Sequence, residues 1–162
     1  MQLLVVEDDI SLNNSIRRFL VNTMQADVVQ AHSLDAANET IKNQAQKLDL
    51  VITDIGLADG TGFDVMDTLR THQPDASVVV ITGHNSTEEI LMAMRRGAID
   101  FLIKPFELND LVTAIWRSSN AHSNAEVKPS YPKALTSDTR GNTSGNWKKS
   151  TRTSLLETIQ AS

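Results

Sequence analysis

With 162 residues, 40% of them hydrophobic, the chain can bury one core of ordinary size and is too short for two full domains. It contains no cysteine, which excludes a disulfide framework and a thiolate metal site and suits a reducing compartment. The net charge of −5 is uneven: residues 1–116 hold 8 Lys/Arg against 17 Asp/Glu and residues 117–162 hold 7 against 3, so the acidic body disfavours nucleic acid and the tail is basic.

In chain order, the first element is an apolar run of strand length at residues 3–6, which ends in Glu7, Asp8 and Asp9. Neither a signal-peptide pattern nor a membrane-length apolar span accompanies it, and a cytoplasmic protein is expected. Leu12, Ile16, Phe19 and Leu20 then repeat at helical spacing, followed by a weaker strand pattern at 27–31 and a helical one at Leu34, Ala37 and Ile41. The run 50–53 ends at Asp54, and Met66 and Leu69 mark a third helix. The run 78–82 ends at Thr82. A fourth helix follows with the stripe Ile90, Leu91 and Met94, a capping-box spacing from Ser86 to Glu89, and Gly97 where a helix end favours positive φ. The last strand run, 101–103, leads into Lys104-Pro105, and Leu108, Leu111, Val112 and Ile115 give a fifth helix whose end Trp116 is expected to cap, the alternative being an exposed partner contact.

The strand runs lack strict alternation, as expected when both faces are covered. Five such βα units in about 118 residues predict a flavodoxin-like, doubly wound (βα)5 domain with a parallel five-stranded sheet of order 2-1-3-4-5. The domain is expected to occupy residues 1–119. Residues 120–162, rich in Ser, Thr, Asn, Gly and Lys, read as a mostly disordered basic tail or linker, with mobility expected over about 121–146 and weak, salt-sensitive DNA contact.

Parallel strands open their C-terminal ends on one edge, where ligands of open α/β sheets bind. That edge would collect Glu7, Asp8, Asp54, Thr82 and Lys104. Each has a dull explanation alone, as a turn cap, a satisfied hydroxyl or a surface charge. Together they imply more, because two carboxylates about 4 Å apart repel by roughly 4 kcal/mol at an effective dielectric near 20 and therefore favour a cation. A hard oxygen site with few carboxylates suits Mg2+, and Asp54 is then placed as a nucleophile toward a phosphoryl group.

At these residues the chain resembles the chemotaxis-regulator-like receiver domain of two-component response regulators. The matching text is Val5-Val6-Glu7-Asp8-Asp9, Thr53-Asp54-Ile55-Gly56-Leu57, Ile81-Thr82-Gly83 and Lys104-Pro105-Phe106, in order and at family-like spacing. The resemblance implies that Asp54 accepts a phosphoryl group from the phosphohistidine of a sensor histidine kinase or a histidine phosphotransfer protein. It also implies Mg2+ on Glu7, Asp8, Asp54 and the Gly56 carbonyl, phosphoryl contact by Lys104, a switch pair of Thr82 and Phe101, and a cis peptide before Pro105. Asp9 reads as a helix-start charge. Two positions depart from the common pattern: Phe101 lacks the hydroxyl of the tyrosine many members carry, and Gly56 and His84 occupy sites that influence hydrolysis in the family.

Residues 93–106 are most similar to receivers of transcriptional activators, so phosphorelay control of transcription is the implied role, with homodimerisation through the fourth helix, fifth strand and fifth helix. DNA contact would need an output domain, of which residues 147–162 faintly resemble only the first strands. Two other readings share parts of the pattern. A flavodoxin-like electron carrier would need a neutral phosphate loop where Glu7-Asp8-Asp9 stands. A Mg-dependent aspartate-nucleophile phosphohydrolase places its nucleophile first and its acid pair late, the reverse of the order here, and Gly56 stands where its second acid belongs.

Overall fold

The structure, a computed structural model, describes residues 1–123 other than 44, 46, 84 and 85, with side chains described through Arg117. The elements run β1 (Gln2–Val6), α1 (Ile10–Met24), β2 (Asp27–Ala31), α2 (Leu34–Lys42), β3 (Leu50–Asp54), β4 (Gly56–Leu57), β5 (Gly60–Thr61), α3 (Gly62–His72), β6 (Ser77–Thr82), α4 (Thr87–Arg95), β7 (Asp100–Ile103) and α5 (Leu108–Ser123). The main sheet has order β2-β1-β3-β6-β7 with every pairing parallel. Counting its strands alone in chain order, this is the expected 2-1-3-4-5 arrangement, and the weak run at 27–31 forms an edge strand.

Alternation along each strand explains why the runs are apolar throughout. Leu3, Val5, Leu50, Ile52, Val79 and Ile81 join one buried cluster with Ile16 and Leu20 of α1 and Leu111 and Ile115 of α5. Leu4, Val6, Val51, Val78 and Val80 join the other, with Ala37 and Ile41 of α2, Val65 and Leu69 of α3, and Ala93 of α4. Both faces are therefore dry, and polar residues are tolerated only where the strands end.

Capping sets the helix starts. Asp9 Oδ1 accepts from the Ser11 and Leu12 amides at 2.8 and 3.0 Å, which is the helix-start role expected of it. Ser86 caps α4 through the Glu89 amide at 3.4 Å. The helix with both halves of a capping box is α3, where Thr61 and Asp64 bond reciprocally. Gly97 follows α4 with φ of 95°, as its position implied.

The structure departs from the local expectations at four points. Trp116 does not cap the core and is 60% exposed, because the helical turn that buries Leu111, Ala114 and Ile115 carries the next residue about 100° away from the sheet. The stripe of α4 is displaced as well: Ala93 is its buried residue and Leu91 is exposed, so a small side chain sits beneath the helix. Between Asp54 and α3 lies an antiparallel two-residue ribbon, β4 with β5, that the apolar pattern did not announce. The helix α5 continues to Ser123, beyond the composition change at Arg117. The rest of the expected mobile tail lies outside the described residues.

Candidate functional site

Register places the polar strand ends side by side. Val6 pairs with Thr53, Asp54 with Ile81, and Thr82 with Ile103, so Glu7, Asp54, Thr82 and Lys104 emerge on neighbouring strands at one edge. Backbone bonds extend the sheet one step further, from Ile55 N to Ile81 O at 3.0 Å and from Lys104 N to Thr82 O at 2.8 Å. The Lys104-Pro105 peptide is cis, as the resemblance implied.

Lys104 joins two acids. Its Nζ donates to Asp54 Oδ2 at 2.6 Å and to Glu7 Oε2 at 2.7 Å. Glu7 is 1% exposed, and burial pushes its carboxyl above the ordinary range despite the bond from Lys104, with the nearby Asp54 charge adding to the rise. Burial pulls the Lys104 ammonium the other way, but its bonds to Asp54 and Glu7 and their charges outweigh that and hold its pKa above the usual lysine value. The cation is thus fully charged at neutral pH and neutralises one of two adjacent buried acids.

Asp8 is the third acid and is exposed. Glu7, Asp8 and Asp54 each present an oxygen within 4.8 Å of the others. All three donors are hard carboxylate oxygens, and with Lys104 counted the group still carries two net negative charges. That donor set fits a hard divalent cation. In metal-free buffer the excess charge should be a burden: Asp8→Asn is expected to stabilise the fold by roughly 0.2–1 kcal/mol, a rise of a few degrees in melting temperature, while losing the response to Mg2+. A thermal melt of the variant well below wild type in chelator would contradict this.

Asp54 and Thr82 stand at the same edge, whereas Phe101 lies further back along β7, opposite Val80. Asp54 is 7% exposed, and its Oδ1 accepts from Gly56 N at 3.1 Å. Thr82 is 1% exposed at the end of β6. Phe101 is half-buried on β7 and packs with Met94 against the cluster beneath α2, α3 and α4. His84 lies outside the described residues.

Two contributors escaped the sequence reading. A Cβ at Gly62 would overlap the carbonyl oxygen of Asp54, so only glycine lets α3 begin against the Asp54 backbone; Gly62 N also donates to Ile55 O at 2.9 Å. Asn13 is fully buried on α1 and bonds the carbonyl of Glu7. A signal for it was present: Asn13 stands three residues before Ile16 and seven before Leu20, a position the helical stripe reserves for an apolar side chain.

Residues 3–116 match the family described as the response regulator receiver domain. The chain is 35% identical over 132 residues to the photosynthetic apparatus regulatory protein RegA of Rhodovulum sulfidophilum, covering 80% of this chain and 66% of that protein. It spans less than two thirds of the length of the curated relatives it matches. Among solved structures it is similar to a response regulator protein from Burkholderia pseudomallei with a phosphorylated aspartic acid, calcium ion and citrate, with a TM-score of 0.65, 26% identity, and coverage of 77% of this chain and 72% of that one. It is also similar to the beryllofluoride-activated NtrC4 receiver domain dimer, with a TM-score of 0.66, 30% identity, and coverage of 74% and 97%.

Proposed function

The chain belongs to the response regulator receiver family, and from that premise we propose that Asp54 is the phosphoacceptor of a two-component phosphorelay, taking its phosphoryl group from the phosphohistidine of a sensor kinase or a histidine phosphotransfer protein. The observation that carries this reading is the single cluster in which Lys104 lies 2.6 Å from Asp54 and 2.7 Å from Glu7, while the Glu7, Asp8 and Asp54 oxygens gather within 4.8 Å. A carboxylate oxygen of Asp54 forms the new P–O bond as the P–N bond to the donor imidazole breaks, and the ring nitrogen keeps the bonding pair. Mg2+, held by Glu7, Asp8, Asp54 and the Gly56 carbonyl, supplies positive charge for the phosphoryl oxygens when bound. Lys104 already touches the accepting carboxylate, so it contacts a phosphoryl group attached there without leaving the site. Thr82, on the neighbouring strand end, donates its hydroxyl to the same group.

The chain is on this reading a regulatory phosphoacceptor that acts on itself and turns over no free substrate. The new group adds roughly −1.5 to −2 charges, drawing Thr82 inward toward the phosphoryl group that Lys104 already reaches and leaving space that Phe101 fills by packing alone, since it has no hydroxyl. The output surface is α4, β7 and α5, where Leu91, Met92 and Trp116 are 37%, 38% and 60% exposed and are available for self-association or a partner. The similarity to the DNA-binding transcriptional regulator NtrC of Azospirillum brasilense and the transcriptional regulatory protein ZraR of Escherichia coli favours a transcriptional output, reached through a segment outside the receiver. No helix among the described residues is long and apolar enough to cross a membrane; membership of the receiver family is what favours a cytoplasmic phosphorelay.

The test is amide chemical-shift mapping with Mg2+ and beryllofluoride as phosphoryl analogue. Shifts are expected in the loops after β1 and β3 and also along α4, β7 and α5, including Leu91 and Trp116. Full inversion of a 1:99 equilibrium takes about 5.5 kcal/mol of differential stabilisation, so intermediate shifts are compatible with switching. Shifts confined to the two loops would refute the switch, and no saturable shift at all would refute phosphoacceptance.

A further inference from the structure

The turn that carries Glu7 and Asp8 is held from behind by a side-chain network. Asn13 Nδ2 donates to Glu7 O and to Ala31 O, each at 3.0 Å. Those two bonds use both of its hydrogens. His32 Nδ1 lies 3.2 Å from the same Glu7 carbonyl and 3.3 Å from Asn13 Nδ2; with both Asn13 hydrogens taken, the tautomer that serves Glu7 O is the one with its hydrogen on Nδ1. On the other side of the amide, Asn13 Oδ1 accepts from Gln30 Nε2 at 2.9 Å, and Gln30 also reaches Asn14 Oδ1 at 3.1 Å. The orientation is thereby unambiguous: a flipped amide would set its oxygen against two carbonyl oxygens and its nitrogen against the Gln30 nitrogen. Asn13 itself is completely buried.

We propose that the Asn13 amide, together with the Nδ1–H of His32, positions the Glu7-Asp8 turn and so sets the affinity of the acidic site for a divalent cation. A clamp that merely fastened α1 to the sheet would need no contact with the residue that carries a ligand. Here both donors converge on the Glu7 carbonyl, the pivot of the peptide that joins Glu7 to Asp8. Glu7 N is tied to Ala31 O at 3.1 Å, and Glu7 Oε1 accepts from Asp9 N at 3.3 Å, so the chain leaving β1 is held at the amide, the carbonyl and the carboxylate of Glu7. Releasing the carbonyl frees that peptide to rotate, which moves Asp8 relative to Asp54. Asn13 and His32 are positioning residues, one step behind the carboxylates, and the inference rests on the proposed metal-dependent phosphoacceptance.

Asn13→Leu tests it with little change of shape. Each affected carbonyl keeps one partner, Glu7 N for Ala31 O and His32 for Glu7 O, and Leu joins the apolar stripe of α1. Titration of the full chain with Mg2+ alone, read by calorimetry, should show Kd weakened about 10-fold, at the lower end of what loss of a ligand-orienting partner does to metal affinity. The Mg2+ concentration for half-maximal labelling by a small acyl phosphate donor should rise by the same factor, with the rate at saturating Mg2+ within about twofold of wild type. A folded Asn13→Leu with wild-type Mg2+ affinity overturns the inference, whatever its melting temperature. If that variant does not fold, His32→Ala at the exposed rim takes its place: a measurable weakening supports the positioning role and an unchanged Kd overturns it. Absence of saturable Mg2+ binding by the wild-type chain would instead overturn the proposed function, and this inference with it.

Discussion

Asp54→Asn should reduce labelling by a small acyl phosphate donor to background, while the wild-type chain takes up one phosphoryl group and then stops. The substitution keeps size and shape and removes the anionic oxygen that attacks phosphorus. Neighbouring acids are poor substitutes: Glu7 is 1% exposed and engaged by Lys104, and Asp8 lies on the exposed side of the cluster. Chelation should abolish wild-type labelling as well, since three carboxylates with only Lys104 between them leave a net negative site facing an anionic donor. Mass spectrometry of the intact chain and of its peptides reads both results. Equal labelling of Asp54→Asn and wild type would end the assignment, and release of phosphate far beyond one equivalent would point to a hydrolase.

Lys104→Met should destabilise the metal-free fold by about 3 kcal/mol, in line with removing one partner from a buried charge group. Its ammonium is bonded to two acids whose side chains are 1% and 9% exposed. Without it, Glu7 and Asp54 face each other with no cation. The response to pH follows from the direction of the Glu7 shift, which burial already raises above 4.5 and the substitution would raise further. A carboxyl with a raised folded pKa contributes stability that is complete below its unfolded value and is lost as pH rises through the folded one. The deficit of Lys104→Met should therefore be large at neutral pH and shrink as pH falls toward 4.5. Denaturant melts at several pH values provide the measurement, and a pH-independent deficit would show that lost packing, not charge, is responsible. Added Mg2+ should recover part of the loss by binding the folded state, through the same mass action that any native-state ligand exerts.

Much of this was determined by sequence alone. Strands covered on both faces require unbroken apolar runs, and those runs end at Glu7, Asp54, Thr82 and Lys104, so the element order and the chemistry of one sheet edge are local properties of the text. Asp9 as a helix cap and Gly97 at positive φ are likewise local, because each depends on a few neighbouring dihedrals. Tertiary structure decided the rest. That Lys104 bridges Asp54 and Glu7, 50 and 97 residues away, depends on the register of four strands, β1, β3, β6 and β7, which no window of sequence contains. Trp116 faces outward because rotation of α5 is set by which of its side chains fit the sheet, and hydrophobicity by itself does not rank Trp116 below Ile115. Asn13 looks like a misplaced polar residue on an apolar stripe until α1 is docked. Only then do the ends of β1 and β2 bring it two carbonyls to bind, and a buried amide is stable only where such partners have been assembled.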